Sequence, residues 1–270
     1  MKPYNTLVDT RYGRMLANRH DAWVGEAVIR FGEYSPVEME FLRSLIPQEL
    51  DDKGNGPIVI EVGAHIGSLT VPLARHVGSR GMVVAFEPQR YVFQLLAANV
   101  ALNSLPNVVL RNAAVADTPG MTRVPVLDPN LPQNSGGTRL QNVTEGENVI
   151  RYRLDEFFHE LPRFDLLKAD VEGMELQVLK GAEGLIRQHQ PTLYVEVHDE
   201  DKRAPMVAYL HALGYRAWFH SPPLFSPSNW AGDMDNPWPR IVSFNLVAIA
   251  EGKPLPFNVD ETPYLTPTGQ

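Results

Sequence analysis

No cysteine occurs in the 270 residues. Disulfides, thiolate zinc sites, iron–sulfur clusters and a cysteine nucleophile are therefore excluded. Basic runs are missing as well, with 24 Lys and Arg against 32 Asp and Glu and a net charge of −8. Such a chain does not suit a partner held through nucleic-acid phosphates or anionic lipid. No apolar stretch reaches the roughly 18 residues of a membrane span, and the opening MKPYNTLVDTRYGR lacks a secretory-type apolar run. The expectation is a soluble cytoplasmic protein without nucleic-acid or membrane partners. The dinucleotide fingerprint G-x-G-x-x-G is absent too. What remains, 44% hydrophobic and 21% charged residues, is the composition of a globular chain with a full-sized core. Its length fits one large domain, or one domain with extensions.

Prolines cluster at 125–132, 222–239 and 254–267, marking irregular loops and a tail. Between them runs a regular alternation. Short apolar runs at Ile58–Val62 and Met82–Phe86 read as buried strands, and Asn107–Leu110, Phe164–Ala169 and Thr192–Val197 as three further strands. Helical spacing follows at 66–77, 89–103, 174–188 and 202–213, and Tyr215–Phe219 and Ser243–Ala250 are two closing strands. Strands alternating with helices specify an α/β fold, a doubly wound and mostly parallel sheet. The last two strands lack an intervening helix, which predicts an antiparallel last strand added at one sheet edge. Residues 1–50 read as an N-terminal extension, with a hairpin over 6–17 turning at Tyr12-Gly13. A helix from Ser35 to Leu45 follows, with Ser35 at its N-cap and Glu38 completing a capping box. Residues 51–255 form the main domain and 256–270 a C-terminal tail.

In open α/β sheets, ligands bind beyond the carboxyl ends of the strands. The first such end reads Glu61-Val-Gly-Ala-His-Ile-Gly67. Gly63 permits a tight turn with close approach of a ligand, and Gly67 lets the helix start pack on the strand. An acidic residue before this loop repels a diphosphate but suits a ligand carrying a cation. The second strand ends VVAFEP and places Glu87 where a carboxylate can accept hydrogen bonds from vicinal ribose hydroxyls. A nucleoside with a cationic rather than a phosphorylated substituent is S-adenosylmethionine, the cofactor expected here.

The segments EVGAHIG, AFEP, NAAV, LLKADVEGMELQVLKGA and PTLYVEVH, with GEYSPVEMEFL before them and FSPSNWAG and IVSFNLVAI after, resemble the FkbM family of S-adenosylmethionine-dependent methyltransferases. The resemblance covers about residues 30–250, and its most specific element is the D-V-E-G-x-E block. It implies a Rossmann-like class I methyltransferase sheet with an antiparallel last strand. It also implies methylation of hydroxyl groups on sugars or polyketide-like metabolites. Carried over residue by residue, it puts Glu61, Gly63, Ala64, His65 and Gly67 around the methionine and ribose parts of the cofactor, with Glu87 on the ribose hydroxyls. Pro88, Gln89, Ala113 and Ala114 would flank the adenine, Asp170 would sit near the methyl donor, and Tyr34 and Glu38 would close over the cofactor.

Methylating an alcohol requires in-line attack and loss of a proton. The base candidates are Asp170, Glu172, Glu175, Glu196 and His198. Glu196 and His198 alternate on one strand and share a face, so His198 is placed first as base, with Glu196 as its orienter and Asp170 aligning the acceptor. Asp170, Glu196 and His198 could alternatively hold a hard divalent ion, although no dense ligand spacing supports a metal. His76, His159, His189, His211 and His220 read as surface or packing residues. Acceptor choice is assigned to the polar loop 128–148, with Gly136-Gly137 as hinges, and to 221–240. There Phe225, Trp230 and Trp238 either stack on a ligand or anchor the loop. The expected partner is a small-molecule acceptor; N-methylation and a nonenzymatic nucleoside-binding module are alternatives. The sequence leaves a homo-oligomer open.

Overall fold

The computed structural model describes residues 3–158 and 160–268. In chain order the elements begin with the hairpin β1 (Asn5–Thr10) and β2 (Gly13–Asn18), then helices α1 (Val24–Phe31) and α2 (Pro36–Ser44). The alternating core follows as β3 (Ile58–Val62), α3 (Thr70–Val77), β4 (Met82–Phe86), α4 (Arg90–Leu102) and β5 (Val108–Arg111). Next come β6 (Ala114–Val115), β7 (Gly120–Val124), β8 (Glu147–Tyr152), α5 (Leu154–Phe157), β9 (Leu166–Ala169), α6 (Glu175–Gly181) and α7 (Glu183–His189). The chain closes with β10 (Thr192–Glu196), α8 (Glu200–Ala212), β11 (Tyr215–His220), β12 (Asn245–Ala250) and β13 (Leu265–Pro267).

The principal sheet has the order β13-β11-β12-β10-β9-β3-β4-β5. Strands β10, β9, β3, β4 and β5 are mutually parallel, and β12 runs antiparallel between β10 and β11. The mostly parallel α/β reading holds, with one correction. The antiparallel strand is inserted inside the sheet, and the outer position belongs to β13 from the tail, paired with β11. All six residues of β12 are buried, which its continuous apolar run Leu246–Ala250 demands.

Four local expectations also change. Helix α3 starts at Thr70 rather than 66, because residues 65–69 make turns in which His65 and Gly67 take left-handed backbone angles. The predicted helix 174–188 breaks at Ala182 into two. Gly181 packs there so closely on β6 that a Cβ would lie 2.2 Å from the Ala116 carbonyl oxygen. The stretch read as irregular after β5 contains the small sheet β6-β8-β7. Ser35 is the N-cap of α2, yet its hydroxyl bonds the Glu38 carboxylate at 2.8 Å instead of a backbone N–H. The capping box is therefore not formed.

The two faces of the sheet differ. One presents Ile60, Val62, Val84, Phe86, Leu167, Ala169, Leu193, Val195, Leu246 and Ala248 to α6, α7 and α8, apolar from end to end. The other is apolar only over its first half, where Val59, Leu166, Tyr194 and Val247 pack on Met39, Phe41 and Leu42 of α2. Its second half carries the site. The hairpin packs on α4 through Asn99, whose side chain bonds both the N–H and the carbonyl of Leu16. Among the described residues no helix is long and apolar enough to cross a membrane.

Candidate active site

A cavity of about 330 Å³ opens at the carboxyl ends of β3, β4, β9 and β10. Tyr34, Glu61, Gly63, Ala64, His65, Glu87, Pro88, Gln89, Ala113, Ala114, Asp170, Glu172, Glu196 and His198 all line it. The structure thus brings together nearly every residue singled out in the sequence. Gly67 is not among the lining residues; a Cβ there would meet Leu96 of α4 at 2.8 Å. Gly63, at φ 86°, makes the tight turn expected of it, and the structure adds a second requirement. Its missing Cβ would stand 1.8 Å from the carbonyl oxygen of Asp170, so the close neighbour is the β9 loop.

The two strand-end carboxylates face this cavity in different settings. Glu87 accepts hydrogen bonds from the backbone N–H groups of His65 (3.0 Å) and Gln89 (2.8 Å). Burial outweighs those bonds and pushes its carboxyl up to about 7. One bond to each oxygen leaves lone pairs for a further donor. Glu61 accepts from Thr70 Oγ1 at 2.6 Å, and burial pushes it also to about 7.

The third strand end is the centre of a charged cluster. Lys168 and Asp170 alternate along β9 and its exit, so they share a face, and the sheet register sets Lys168 beside Glu61 on β3 and Tyr194 on β10. Lys168 Nζ donates to Asp170 Oδ2 at 3.1 Å and is 2% exposed. Burial opposes its charge, but Asp170, Glu38, Glu61 and Glu196 outweigh that and keep it a cation. Carboxylate oxygens of Asp170, Glu172 and Glu196 lie within 4.8 Å of one another. Burial and the nearby Asp170 charge lift Glu196 well above the carboxylate range, and it shares a hydrogen bond with Asp170. Burial disfavours Asp170 ionisation too, yet Lys168 and that bond hold it below its ordinary value. Glu172 rises to about 7 through burial and then Asp170. Glu175 stands apart, accepting from the N–H groups of Val171 and Gly173 and so fixing the turn.

Sequence placed Glu196 as orienter of His198; the structure pairs it with Asp170 instead. The parallel register Val195–Ala169 delivers Glu196 next to Asp170, whereas His198 lies beyond the strand end, exposed at the rim and edge-on to Phe244.

A model of the methyltransferase FkbM domain matches residues 61–217, which span β3 through part of β11. The chain belongs to the FkbM methyltransferase family. A curated relative, methyltransferase sdnD of Sordaria araneosa, is 27% identical over 185 residues, covering 55% of this chain and 71% of that protein. Methyltransferase 1 of Beauveria bassiana (strain ARSEF 2860) is 29% identical over 143 residues, covering 46% and 57%. Among solved structures, an S-adenosylmethionine-dependent methyltransferase from Agrobacterium tumefaciens aligns over 93% of this chain and 71% of its own. Its TM-score is 0.53 at 8% identity, a likeness of fold.

As an FkbM methyltransferase the protein uses S-adenosylmethionine, and the lining fits that cofactor's chemistry. Glu87 retains acceptor capacity for a diol, Ala113 and Ala114 offer an apolar wall for a purine, and carboxylates outnumber Lys168 where a sulfonium needs negative surroundings. A lid closes over this methyltransferase cavity. Ser135 Oγ donates to Asp21 Oδ2 at 2.7 Å and contacts His65 Nε2 at 2.7 Å, while Gln89 Nε2 bonds the Ser135 carbonyl at 2.7 Å. Because the carboxylate can only accept, the serine hydrogen points at Asp21 and His65 Nε2 must be the protonated nitrogen. Burial holds the imidazole below its usual range, and among the described residues Nδ1 meets no partner. Asn134, Gly136, Gly137, Thr138 and Leu140 form the inner side of the lid.

Of the loop aromatics, Trp238 stacks on Trp23 (5.5 Å) and meets Phe31 edge-on, Phe225 also packs on Phe31, and Trp230 covers Gly32. They anchor the loop to α1, and its contribution to the cavity is Leu224, Ile241, Val242 and Ser243. Sequence reasoning missed Lys168, Asp21, Trp23 and Ser135. Lys168 had a readable signal, a lysine inside the apolar strand FDLLKAD and in phase with Asp170. Asp21 and Ser135 had none, since their contact spans 114 positions. Of the histidines read as surface or packing residues, His220 is buried against Tyr194 and His159 lies outside the described residues.

Proposed function

We propose that the chain methylates a hydroxyl oxygen of a small molecule, with the Asp170, Glu172 and Glu196 cluster taking the hydroxyl proton. The observation that carries this reading is the meeting of three carboxylates within 4.8 Å at the cofactor cavity. Like charges so close cannot all ionise, and with burial this raises Glu172 to about 7 and Glu196 well above the carboxylate range. A base poised near the working pH transfers protons most effectively. When bound, S-adenosylmethionine supplies an electrophilic methyl group. The chain's own residues hold the acceptor in line with it, exclude water through the lid, and remove the proton. Holding the reactants in line is worth about 7–11 kcal/mol of barrier in well-oriented reactions.

Two features support the acceptor class. Lid residues 134, 136–138 and 140 and residues 224 and 241–243 line a cavity of about 330 Å³, a size that suits a small molecule. An amine acceptor would be held there as an ammonium ion by the surrounding carboxylates, and an ammonium has no lone pair to attack with. A hydroxyl has no such handicap, so oxygen is favoured over nitrogen.

The test uses methyl-labelled S-adenosylmethionine and a panel of hydroxylated sugars and polyketide-like metabolites, with products read by mass spectrometry. With a turning-over acceptor, Asp170→Asn should lower turnover by about 10²–10⁴-fold while S-adenosylhomocysteine affinity stays within a few-fold. His198→Ala should cost less than about tenfold, as expected for a rim residue that does not carry the proton. The reverse order would return the base to His198, and methyl transfer confined to amines would defeat the hydroxyl assignment.

A further inference from the structure

Lys168 is buried at 2% exposure with Glu38, Glu61, Asp170 and Glu196 within reach of its charge. One ammonium cannot balance this many carboxylates, and oxygens of Asp170, Glu172 and Glu196 within 4.8 Å of one another cannot all be ionised, so the cluster holds a proton. We propose that the Asp170, Glu172 and Glu196 cluster gives up a proton when the cationic cofactor enters, so that binding of the methyl donor generates the base its own transfer step needs. This inference rests on the methyl-transfer reading above and deepens it.

The geometry supplies each part. All three carboxylates line the same cavity as the cofactor-facing residues. Neighbouring elements set a poised charge balance around them. Lys168 on β9 and Arg139 of the lid are the cations, while Glu38 of α2, Glu61 of β3, Glu175 of α6 and Asp199 before α8 add negative charge. Tyr34 and the neutral imidazole of His65 complete the surroundings. A positive charge within about 4–6 Å of a carboxylate favours its ionised form. S-adenosylmethionine carries one positive charge more than S-adenosylhomocysteine, so only the former drives the proton out.

The cycle balances. On cofactor binding the cluster's proton passes to solvent and a carboxylate is left ionised opposite the sulfonium. In the transfer step the S–CH₃ bond breaks, the O–CH₃ bond forms, and the hydroxyl proton moves to the cluster. Neutral S-adenosylhomocysteine then leaves a protonated cluster, ready for the next round.

Calorimetric titrations of the full chain at pH 7, in buffers of low and high ionisation enthalpy, count the protons. Both ligands carry the diol that meets Glu87, itself raised to about 7, so the cluster is read from the difference: binding of S-adenosylmethionine should release roughly half to one proton more per site than binding of S-adenosylhomocysteine. Glu172→Gln and Glu196→Gln each remove a member of the cluster, and at least one should cut the release by about half or more while S-adenosylmethionine still binds. Equal buffer dependence for the two ligands, or undiminished release in both variants, would overturn the inference and leave the methyltransferase reading standing. Failure of both ligands to bind would overturn the cofactor assignment and the inference together.

Discussion

The two faces of the principal sheet use the same strands and reach opposite compromises. Towards α6, α7 and α8, every inward position from Ile60 to Ala248 is apolar. Burial there is favourable throughout, at about 25 cal/mol per Å² of apolar surface. Towards α2 the pattern is apolar for Val59, Leu166 and Tyr194. One pleat further on it becomes Glu61, Lys168 and Glu196. A hydrophobic continuation there would be more stable, since buried ion pairs often break even at best. The polar half is thus a place where stability is given up for chemistry.

Removing the cation from the polar half should have the largest effect. Lys168→Met leaves Asp170 and its neighbours without their buried partner and should destabilise the fold by about 3–5 kcal/mol, read by urea denaturation at pH 7. Leu166→Ala, on the same strand and face but in the apolar half, should cost about 2–5 kcal/mol. The distinction is pH. The Lys168→Met deficit should shrink as the carboxylates protonate in acid, whereas the Leu166→Ala deficit should stay level. A flat Lys168→Met deficit would show that the lysine matters as packing alone.

The halves should also tilt the stability profile in opposite directions. His220, buried against Phe41 and bonded to the Tyr194 hydroxyl at 2.8 Å, is pushed down to about 4 by burial. The unfolded chain binds the proton more readily, so this contribution is complete above about 6.5 and is lost as pH falls towards 4. Glu61, raised to about 7, behaves oppositely. Its contribution is present below about 4.5 and is lost as pH rises through 7. Each is worth up to about 3 kcal/mol. Stability measured from pH 4 to 8 should therefore have a shallower acid-side slope in His220→Phe and a shallower neutral-side slope in Glu61→Gln, Glu87 and Glu172 keeping part of the latter.

The smallest expected effect sharpens the contrast between cofactor recognition and charge. Glu87 makes its bonds to backbone N–H groups away from Lys168. Glu87→Ala should weaken S-adenosylhomocysteine binding ten- to hundredfold, or about 1.5–3 kcal/mol, by calorimetry. Unchanged affinity in a folded variant would remove Glu87 from the cofactor's hydrogen bonds.

Much of this arrangement was readable in advance because it depends on short-range periodicity. Strand runs of five apolar residues, glycine at the β3 turn, and acidic residues at the ends of β3, β4 and β9 are local patterns. A parallel sheet then brings its strand ends to one edge. Alternation likewise put Glu196 and His198 on one face, but it could not say which neighbour Glu196 would bond. That required the register of β10 against β9, which the exit turns and the packing beneath them decide.

The sequence by itself determined the fold class, the cavity's position and most of its lining. Each follows from residue type at fixed spacing along one strand or turn. Only the tertiary structure decided that β12 inserts beside β10 and that Ser135 latches the lid to Asp21 and His65. It also decided that the loop tryptophans anchor rather than greet a ligand, and that Lys168 is the cation among the carboxylates. These are pairings between distant segments, set by which surfaces bury one another, and no local spacing encodes them.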